Sequence, residues 1–287
     1  MTVDRTIFLP GSGTGHQRLG ILLIHGLGGT PVEMKTLGRR LQESGATVLC
    51  CQLAGHCGTA GDLKATGWRD WYASVEAGLA RLEAVCDTVV VGGLSMGALL
   101  AARLAWGQPQ RVGGLVMLAP TLRYDGWAIP WYSFLLKLLI NTPIGQRYSF
   151  VEHEPYGVKD ARIRALVVRA MNSGDSAGAG LLSTPSQAIQ EMWRLTADLK
   201  PRLPEIRQPT LLIHAREDDT ASLSNAFYLQ RRLGGRVDAL VLEDSYHLIT
   251  VDRQRDVVAR RVAAFLASLA AGLPAPAFHR EEAVNER

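Results

Sequence analysis

Residues 88–107 read TVVVGGLSMGALLAARLAWG. The β-branched run Val89–Val91 predicts a buried strand, and the alanine- and leucine-rich residues that follow Gly97 predict a helix. Between strand and helix, residues 93–97 match the pattern Gly-x-Ser-x-Gly, which is typical of a nucleophile elbow with Ser95 at its tip. Such a turn is strained, and it needs small residues two positions to either side of the serine. An ordinary glycine-rich turn between a strand and a helix would look the same locally, so the rest of the chain has to separate the two interpretations.

The composition bounds what kind of protein this is. The chain has 287 residues, of which 47% are hydrophobic and 20% charged, with a net charge of +4. This is enough for one large α/β domain or two small ones, and too apolar for a disordered chain. The arginines are scattered over predicted helices without a long basic run, which argues against a nucleic-acid partner.

The sequence also bears on location. No apolar run reaches the length of a membrane span, and residues 1–10 lack the apolar core of a secretory signal. The spacing of the four cysteines does not resemble a metal-ligand motif, and the adjacent pair Cys50 and Cys51 would point to opposite faces of a strand. We therefore expect a cytoplasmic protein with reduced thiols and no stable membrane insertion.

Apolar runs that predict strands alternate with helical patterns along most of the chain. The predicted strands are 7–9, 19–24, 47–53, 89–91, 112–118, 210–214 and 237–242, and the predicted helices are 31–44, 70–85, 97–107, 223–233 and 253–271. Continuously apolar strands that alternate with helices predict a mostly parallel sheet covered by helices on both faces.

The alternation breaks between residues 121 and 200, where helical patterns occur without a convincing strand. We interpret this stretch as a small helical cap inserted after a central strand. The expected division is an α/β core formed by residues 1–120 and 201–272, a cap formed by 121–200, and a frayed polar tail from 273 to 287.

A nucleophilic serine needs a base, a carboxylate that orients the base, and an oxyanion hole. Asp218 follows the predicted strand 210–214, and His247 follows the predicted strand 237–242. Open parallel sheets build their sites at the carboxyl ends of strands. The order Ser95, Asp218, His247 is the order found in α/β-hydrolases.

Several residues compete for these two roles. Asp219 and Glu217 could replace Asp218, because both are its neighbours in the same predicted loop. The rival bases are His25, which precedes the serine, His56, and His214, which lies on a predicted strand. Taken singly, each of these residues is more simply explained as a packed or solvated side chain.

An oxyanion hole is predicted after the first long strand. The sequence His25-Gly26-Leu27-Gly28-Gly29 lets the backbone turn so that an amide faces Ser95, and the N–H groups of Leu27 and Met96 would bind the oxyanion. A glycine loop that cradles phosphate is the alternative, but neither of its two common glycine patterns is present.

The chain at this point resembles the bacterial carboxylesterases and monoacylglycerol lipases of the α/β-hydrolase fold. The resemblance extends from about Leu19 to Leu269, is weak in the insert, and rests on residues 25–29, 55–56, 66–71, 93–97, 215–218 and 247–252. It implies Ser95, Asp218 and His247 as the triad, Leu27 and Met96 as the oxyanion amides, and a small helical cap. The chain departs from the family at Cys57, where glycine is common, and has an acidic Glu217 before the aspartate.

The expected function is hydrolysis of short- to medium-chain acyl esters or monoacylglycerols through an acyl-enzyme, with no metal or organic cofactor. The same residues could serve a thioesterase or a hydrolase of amide or C–C bonds, and a non-catalytic ligand-binding protein could keep the fold. Residues 127–140 are apolar on nearly every face, and we expect them to form a cap helix that lines the acyl pocket.

Overall fold

The computed structural model describes residues 3–12, 18–130, 140, 142, 145–151, 153–172 and 180–272. Its strands are β1 (Ile7–Leu9), β2 (Leu19–Ile24), β3 (Thr47–Cys51), β4 (Thr88–Leu94), β5 (Gly114–Leu118), β6 (Ser149–Val151), β7 (Ser183–Pro185), β8 (Thr210–Ala215) and β9 (Val237–Leu242). Its α-helices are α1 (Val32–Glu43), α2 (Ala60–Lys64), α3 (Trp68–Glu83), α4 (Met96–Gly107), α5 (Ala161–Asn172), α6 (Ser186–Leu199), α7 (Leu223–Arg232) and α8 (Arg255–Ala270). Short 3₁₀ turns cover Gly145–Arg147 and Lys200–Glu205.

Seven of the strands form one sheet, in the order β1-β3-β2-β4-β5-β8-β9. The edge strand β1 pairs antiparallel with β3, and every other neighbouring pair in this sheet is parallel. The strand β4, which leads to Ser95, is the middle strand. The carboxyl ends of β4, β8 and β9 therefore open on the same edge of the sheet.

Both faces of the sheet are buried, as β2 shows most clearly. Its side chains alternate between two hydrophobic clusters: Leu22 and Ile24 belong to one, while Ile21 and Leu23 belong to the other. Successive side chains of a strand point to opposite faces, so apolar residues at every position require a cover on each side. The predicted α/β architecture with a mostly parallel sheet is confirmed.

The insert between β5 and β8 departs from the purely helical stretch that the sequence predicted. Strands β6 and β7 pair antiparallel within it, from Ser149 opposite Pro185 to Val151 opposite Ser183. Each strand has only three residues, too few for an alternating apolar pattern to show in the sequence. Helix α6 turns its buried face, which includes Met192 and Leu195, to the hydrophobic cluster shared with the sheet.

The helix expected at 127–140 lies mostly outside the described residues, since 131–139 are not among them. Its first four residues, 127–130, form a turn and a bend, and Trp127 donates from its indole Nε1 to the Glu217 carbonyl at 2.9 Å. Within the described part of the chain, no helix is long and apolar enough to cross a bilayer.

Candidate active site

Ser95 lies on a strained turn between β4 and α4. Its φ of 56° and ψ of −116° are unusual for a residue with a side chain. The flanking glycines are needed because of close backbone contacts: a Cβ on Gly93 would lie 2.2 Å from the Gly97 carbonyl carbon, and one on Gly97 would lie 2.3 Å from the Ile24 carbonyl oxygen. The chain thus has the geometry of a nucleophile elbow.

Two backbone amides near the Ser95 turn have no hydrogen-bond acceptor among the described residues. Met96 is the first residue of α4, so its N–H has no acceptor within the helix. The Leu27 N–H has no hydrogen-bond partner among the described residues. The loop that carries Leu27 passes close to the serine, since a Cβ on Gly26 would lie 3.6 Å from Ser95 Cβ. These amides are the ones that the sequence predicted as an oxyanion hole.

The Glu33 carboxylate supports the loop from the first turn of α1. Its Oε2 accepts the Gly26 N–H at 3.3 Å, and a Cβ on Gly29 would lie 2.1 Å from its Oε1. Burial raises the pKa of Glu33 to about 7, although bonds from the backbone of Gly26 and Thr30 oppose the shift. The residue keeps part of its surface exposed, while its carboxyl group packs against the loop.

Asp218 and His247 are in contact at the ends of β8 and β9. Asp218 Oδ2 lies 2.8 Å from His247 Nδ1, while Oδ1 accepts the N–H groups of Thr220 and Ala221 at 2.9 and 2.7 Å. Burial alone would raise the pKa of Asp218, but the neighbouring His247 and the Ala221 amide outweigh it, and the net pKa is below its usual value. The carboxylate is therefore ionised at neutral pH and lies against Nδ1 of the imidazole.

Asp219 has a different role from its neighbour. Its Oδ1 accepts the backbone N–H of His247 at 3.2 Å, and its Oδ2 accepts the N–H of Gly157 in the insert at 3.0 Å. Burial, reinforced by the charge of Asp218, raises its pKa. Asp219 thus contacts the backbone of His247, whereas Asp218 contacts the ring.

Asp252 also joins the loop of His247 to the insert through hydrogen bonds. Its Oδ2 accepts the N–H groups of Tyr246 at 2.7 Å and Lys159 at 3.0 Å, and its Oδ1 accepts the N–H of Asp160 at 2.9 Å. The side chain is fully buried. Two buried carboxylates therefore fix the loop of His247 to residues 157–160 of the insert.

The rival residues make contacts of their own, and those of His214 include the Asp218 carboxylate, whose Oδ2 lies 3.4 Å from His214 Nε2. His25 Nε2 accepts the Leu53 N–H at 3.3 Å, and burial, with the neighbouring His56 as a second cause, lowers the His25 pKa to about 3. Burial lowers the pKa of His56 to about 4, and that of His214 also falls, mainly through burial. The Glu217 carboxylate forms an ion pair with Lys159 and is half exposed. None of these four side chains bonds to the imidazole of His247.

The hydroxyl of Ser95 has a partner that the sequence did not suggest. Its Oγ donates to Thr121 Oγ1 at 3.0 Å, and Thr121 in turn donates to the Ala119 carbonyl at 3.2 Å. A hydroxyl has one proton to donate, so His247 is not the acceptor of the Ser95 proton in this arrangement.

Sequence reasoning missed three residues of this site: Thr121, Glu33 and Asp252. A weak signal existed for Glu33, because a glutamate three positions after Thr30 is typical of the start of a helix. Asp252 lay within a motif shared with the family, but nothing in the sequence indicated which amides it would bind. Thr121 directly follows a strand-end proline, a position without any pattern of its own.

A parallel sheet with a serine elbow at its middle strand, and an aspartate–histidine pair at two strands nearby, defines a serine hydrolase of the α/β-hydrolase fold. The comparison with protein families agrees: residues 15–254 match the model described as "Serine aminopeptidase, S33". This match covers most of the chain, which therefore belongs to that family.

Curated relatives and solved structures give the same result. The chain is 28% identical over 250 residues to a thermostable monoacylglycerol lipase of Bacillus sp. (strain H-257), with 87% of this chain and 90% of the relative covered. It is 24% identical over 251 residues to a carboxylesterase of Bacillus subtilis (strain 168), covering 87% and 92%. A structure from a study of two metagenome-derived lipolytic enzymes, LipS and LipT, superimposes with a TM-score of 0.75 at 26% identity, covering 92% and 97%. The resemblance to lipases and esterases inferred from the sequence is confirmed.

Proposed function

We propose that this protein is a carboxylesterase of the monoacylglycerol lipase type. It hydrolyses carboxylic esters, with short- to medium-chain acyl esters or monoacylglycerols as substrates. The observation that carries this proposal is the 2.8 Å contact between Asp218 and His247 on the same sheet edge as the Ser95 elbow. The names of the two Bacillus relatives support the ester as the bond that is cleaved.

Ser95 is the nucleophile of the proposed reaction. Its Oγ bonds to the ester carbonyl carbon while the neutral imidazole of His247 takes its proton. Asp218 keeps Nδ1 of His247 protonated and stabilises the imidazolium that forms. The amides of Leu27 and Met96 bind the oxyanion of the tetrahedral intermediate.

Collapse of that intermediate breaks the bond to the alcohol, which leaves with the proton from His247. A water molecule then gives its proton to His247 and attacks the acyl carbon. The second tetrahedral intermediate collapses, the bond to Ser95 Oγ breaks, Ser95 Oγ takes the proton back from His247, and the carboxylic acid is released. Protein groups supply each proton transfer and each charge contact in this sequence of steps. The mechanism therefore calls on neither a metal nor an organic cofactor.

The wider parts of the proposal concern organisation and location. Residues 1–120 and 201–272 act as the catalytic core, and 121–200 act as a cap that borders the acyl group. The substrate is a small ester or lipid, without a nucleic-acid partner. A cytoplasmic location is supported by the four cysteines, none of which forms a disulfide.

A panel of acyl esters tests this proposal. Rates should be measured for 4-nitrophenyl esters from acetate to palmitate, for the matching monoacylglycerols, and for thioesters of the same acids. We expect ester hydrolysis to be faster than thioester hydrolysis and to depend on chain length. The protein with Ser95→Ala should be inactive, while Ser44→Ala, which alters a serine at the end of α1, should match the wild type. Preferred hydrolysis of thioesters, or full activity of Ser95→Ala, would contradict the proposal.

A further inference from the structure

Thr121 lies against the proposed nucleophile without belonging to the triad or the oxyanion hole. It follows β5 by three residues, and its side chain is fully buried, as Ser95 nearly is with 8% exposure. The two hydroxyl oxygens are 3.0 Å apart. This places a second hydroxyl group in contact with the atom that attacks the substrate.

The direction of the hydrogen bond follows from the other partner of Thr121. The Thr121 hydroxyl proton is directed to the Ala119 carbonyl at 3.2 Å, which leaves its lone pairs for the proton of Ser95. Ala119 is well fixed, because its own N–H donates to the Ile213 carbonyl at 2.8 Å. Thr121 is therefore a preformed acceptor of the serine proton.

That acceptor competes with His247. The Ser95 hydroxyl has a single proton, and attack on an ester requires that it be directed to the imidazole. A hydrogen bond between two buried hydroxyls stabilises the orientation in which it is formed. The Ser95 hydroxyl must therefore break its hydrogen bond to Thr121 before His247 can take its proton.

We propose that Thr121 is a positioning residue that holds the Ser95 hydroxyl in a resting orientation and thereby slows acylation. The inference rests on the proposed function, since it takes Ser95 as the nucleophile. The proposed effect concerns acylation alone, the first half of the reaction. In deacylation the nucleophile is water and the Ser95 oxygen is bound to the acyl group, so Thr121 has no serine proton to accept.

The test compares Thr121→Val, which removes the acceptor at nearly constant volume, with Thr121→Ser, which keeps a hydroxyl. Each protein reacts with a fluorophosphonate: Ser95 Oγ bonds to phosphorus, the P–F bond breaks, fluoride leaves and His247 takes the serine proton. We expect Thr121→Val to increase the second-order rate constant about two- to tenfold, which is the ratio for one net hydrogen bond. Thr121→Ser should remain near the wild-type value.

A second readout separates positioning from a general effect on structure. With a 4-nitrophenyl ester whose deacylation limits turnover, Thr121→Val should increase the burst rate and kcat/KM by the same factor and leave kcat unchanged. Thermal unfolding of each variant checks its fold, and Thr121→Ala replaces Thr121→Val if the latter does not fold. Acylation no faster than wild type, or an equal change in kcat, would overturn the inference. Failure of the wild-type protein itself to react with the fluorophosphonate would overturn the proposed function instead.

Discussion

The two sides of the site are positioned by different forces. On the serine side, Ser95 is fixed by short-range contacts, since Gly93 and Gly97 pack so closely that neither position has space for a Cβ. On the histidine side, His247 is fixed by hydrogen bonds that it donates to Asp218 and Asp219, which lie 28 or more residues away in the sequence. The first arrangement is steric, with Gly93 packed against its own turn and Gly97 against Ile24, while the second is polar and joins distant segments.

This difference determines which substitutions each side of the site can accept. The elbow backbone tolerates almost no added volume, and the Ser95 hydroxyl bonds to Thr121 at the very start of the insert. The loop of His247 is connected to residues 157–160 by hydrogen bonds to Asp219 and Asp252. Changes in residues 157–160 should therefore affect His247 before they affect the elbow backbone.

The largest expected effect distinguishes the two adjacent aspartates. Asp218→Asn should lower kcat by about 10⁴-fold, because an amide at Nδ1 favours the wrong tautomer of His247. Asp219→Asn should lower it by less than about tenfold, because asparagine keeps one oxygen to accept a backbone amide. Both are measured with one ester at saturating concentration. A larger loss for Asp219→Asn would reverse the roles assigned to the pair.

A substitution at the elbow tests whether its constraint is steric. Gly97→Ala would place a Cβ 2.3 Å from the Ile24 carbonyl oxygen, and we expect it to lower the free energy of unfolding by about 3 kcal/mol or more. Gly61→Ala is the matched control, since Gly61 lies exposed in α2 and its nearest contact would be 3.4 Å away. Denaturant titration should show no loss for the control. Equal free energies of unfolding for Gly97→Ala and Gly61→Ala would contradict the steric explanation of the elbow.

Asp252→Asn tests the polar account of the other side. It replaces an oxygen that accepts backbone amides with a donor, and the loss of a buried bond should cost about 1–3 kcal/mol of unfolding free energy. We also expect kcat to fall several-fold, because the loop of His247 loses a contact to the insert. The control is Asp256→Asn, an exposed carboxylate paired with Arg40. If both variants keep wild-type kcat, the insert does not position His247.

The smallest expected effect concerns Glu33 and pH. Its pKa is raised from 4.5 to about 7 in the folded protein, so between these values the folded state binds more protons than the unfolded one. The stability that Glu33 contributes through its raised pKa is therefore fully present below about pH 4.5 and falls as the pH rises to about 7. Above that pH it does not change further. Partial exposure reduces the effect to an order of 1 kcal/mol.

The measurement for Glu33 is the free energy of unfolding at pH 5 and pH 8 in the wild type and in Glu33→Gln. Relative to the wild type, Glu33→Gln should gain stability at pH 8 compared with pH 5, because glutamine does not ionise. Glu43→Gln is the control, a glutamate at the last position of α1. A pH dependence that Glu33→Gln leaves unchanged would mean that Glu33 is not buried enough to be perturbed.

The sequence predicted the features that follow from local patterns. Strand β9 has the bounds expected from its apolar run, and the parallel sheet follows from continuously apolar strands. The elbow has a fixed pentapeptide, and Ser95 could be named from residues 93–97 once the strand before them and the helix after them were recognised. Asp218 and His247 could be named because their order in the chain and their positions after predicted strands can be read directly from the sequence.

Contacts between distant segments could not be predicted in this way. The pairing of β6 with β7 joins residues more than 30 positions apart through strands of three residues. The bond between Ser95 and Thr121 depends on how β4 and β5 align, and a lone threonine has no pattern that reports this. Asp218 contacts the ring of His247 and Asp219 contacts its backbone. This difference depends on the directions of two side chains, which cannot be read from two adjacent residues in the sequence.

Site-mapped labelling tests the central claim, that Ser95 is the nucleophile, most directly. The native protein is treated with a fluorophosphonate, digested, and analysed by peptide mass spectrometry, with Ser95→Ala as the parallel sample. The account predicts one adduct, on the peptide that contains Ser95, and no adduct in the Ser95→Ala protein. An adduct on another serine, or equal labelling of the Ser95→Ala protein, would contradict it.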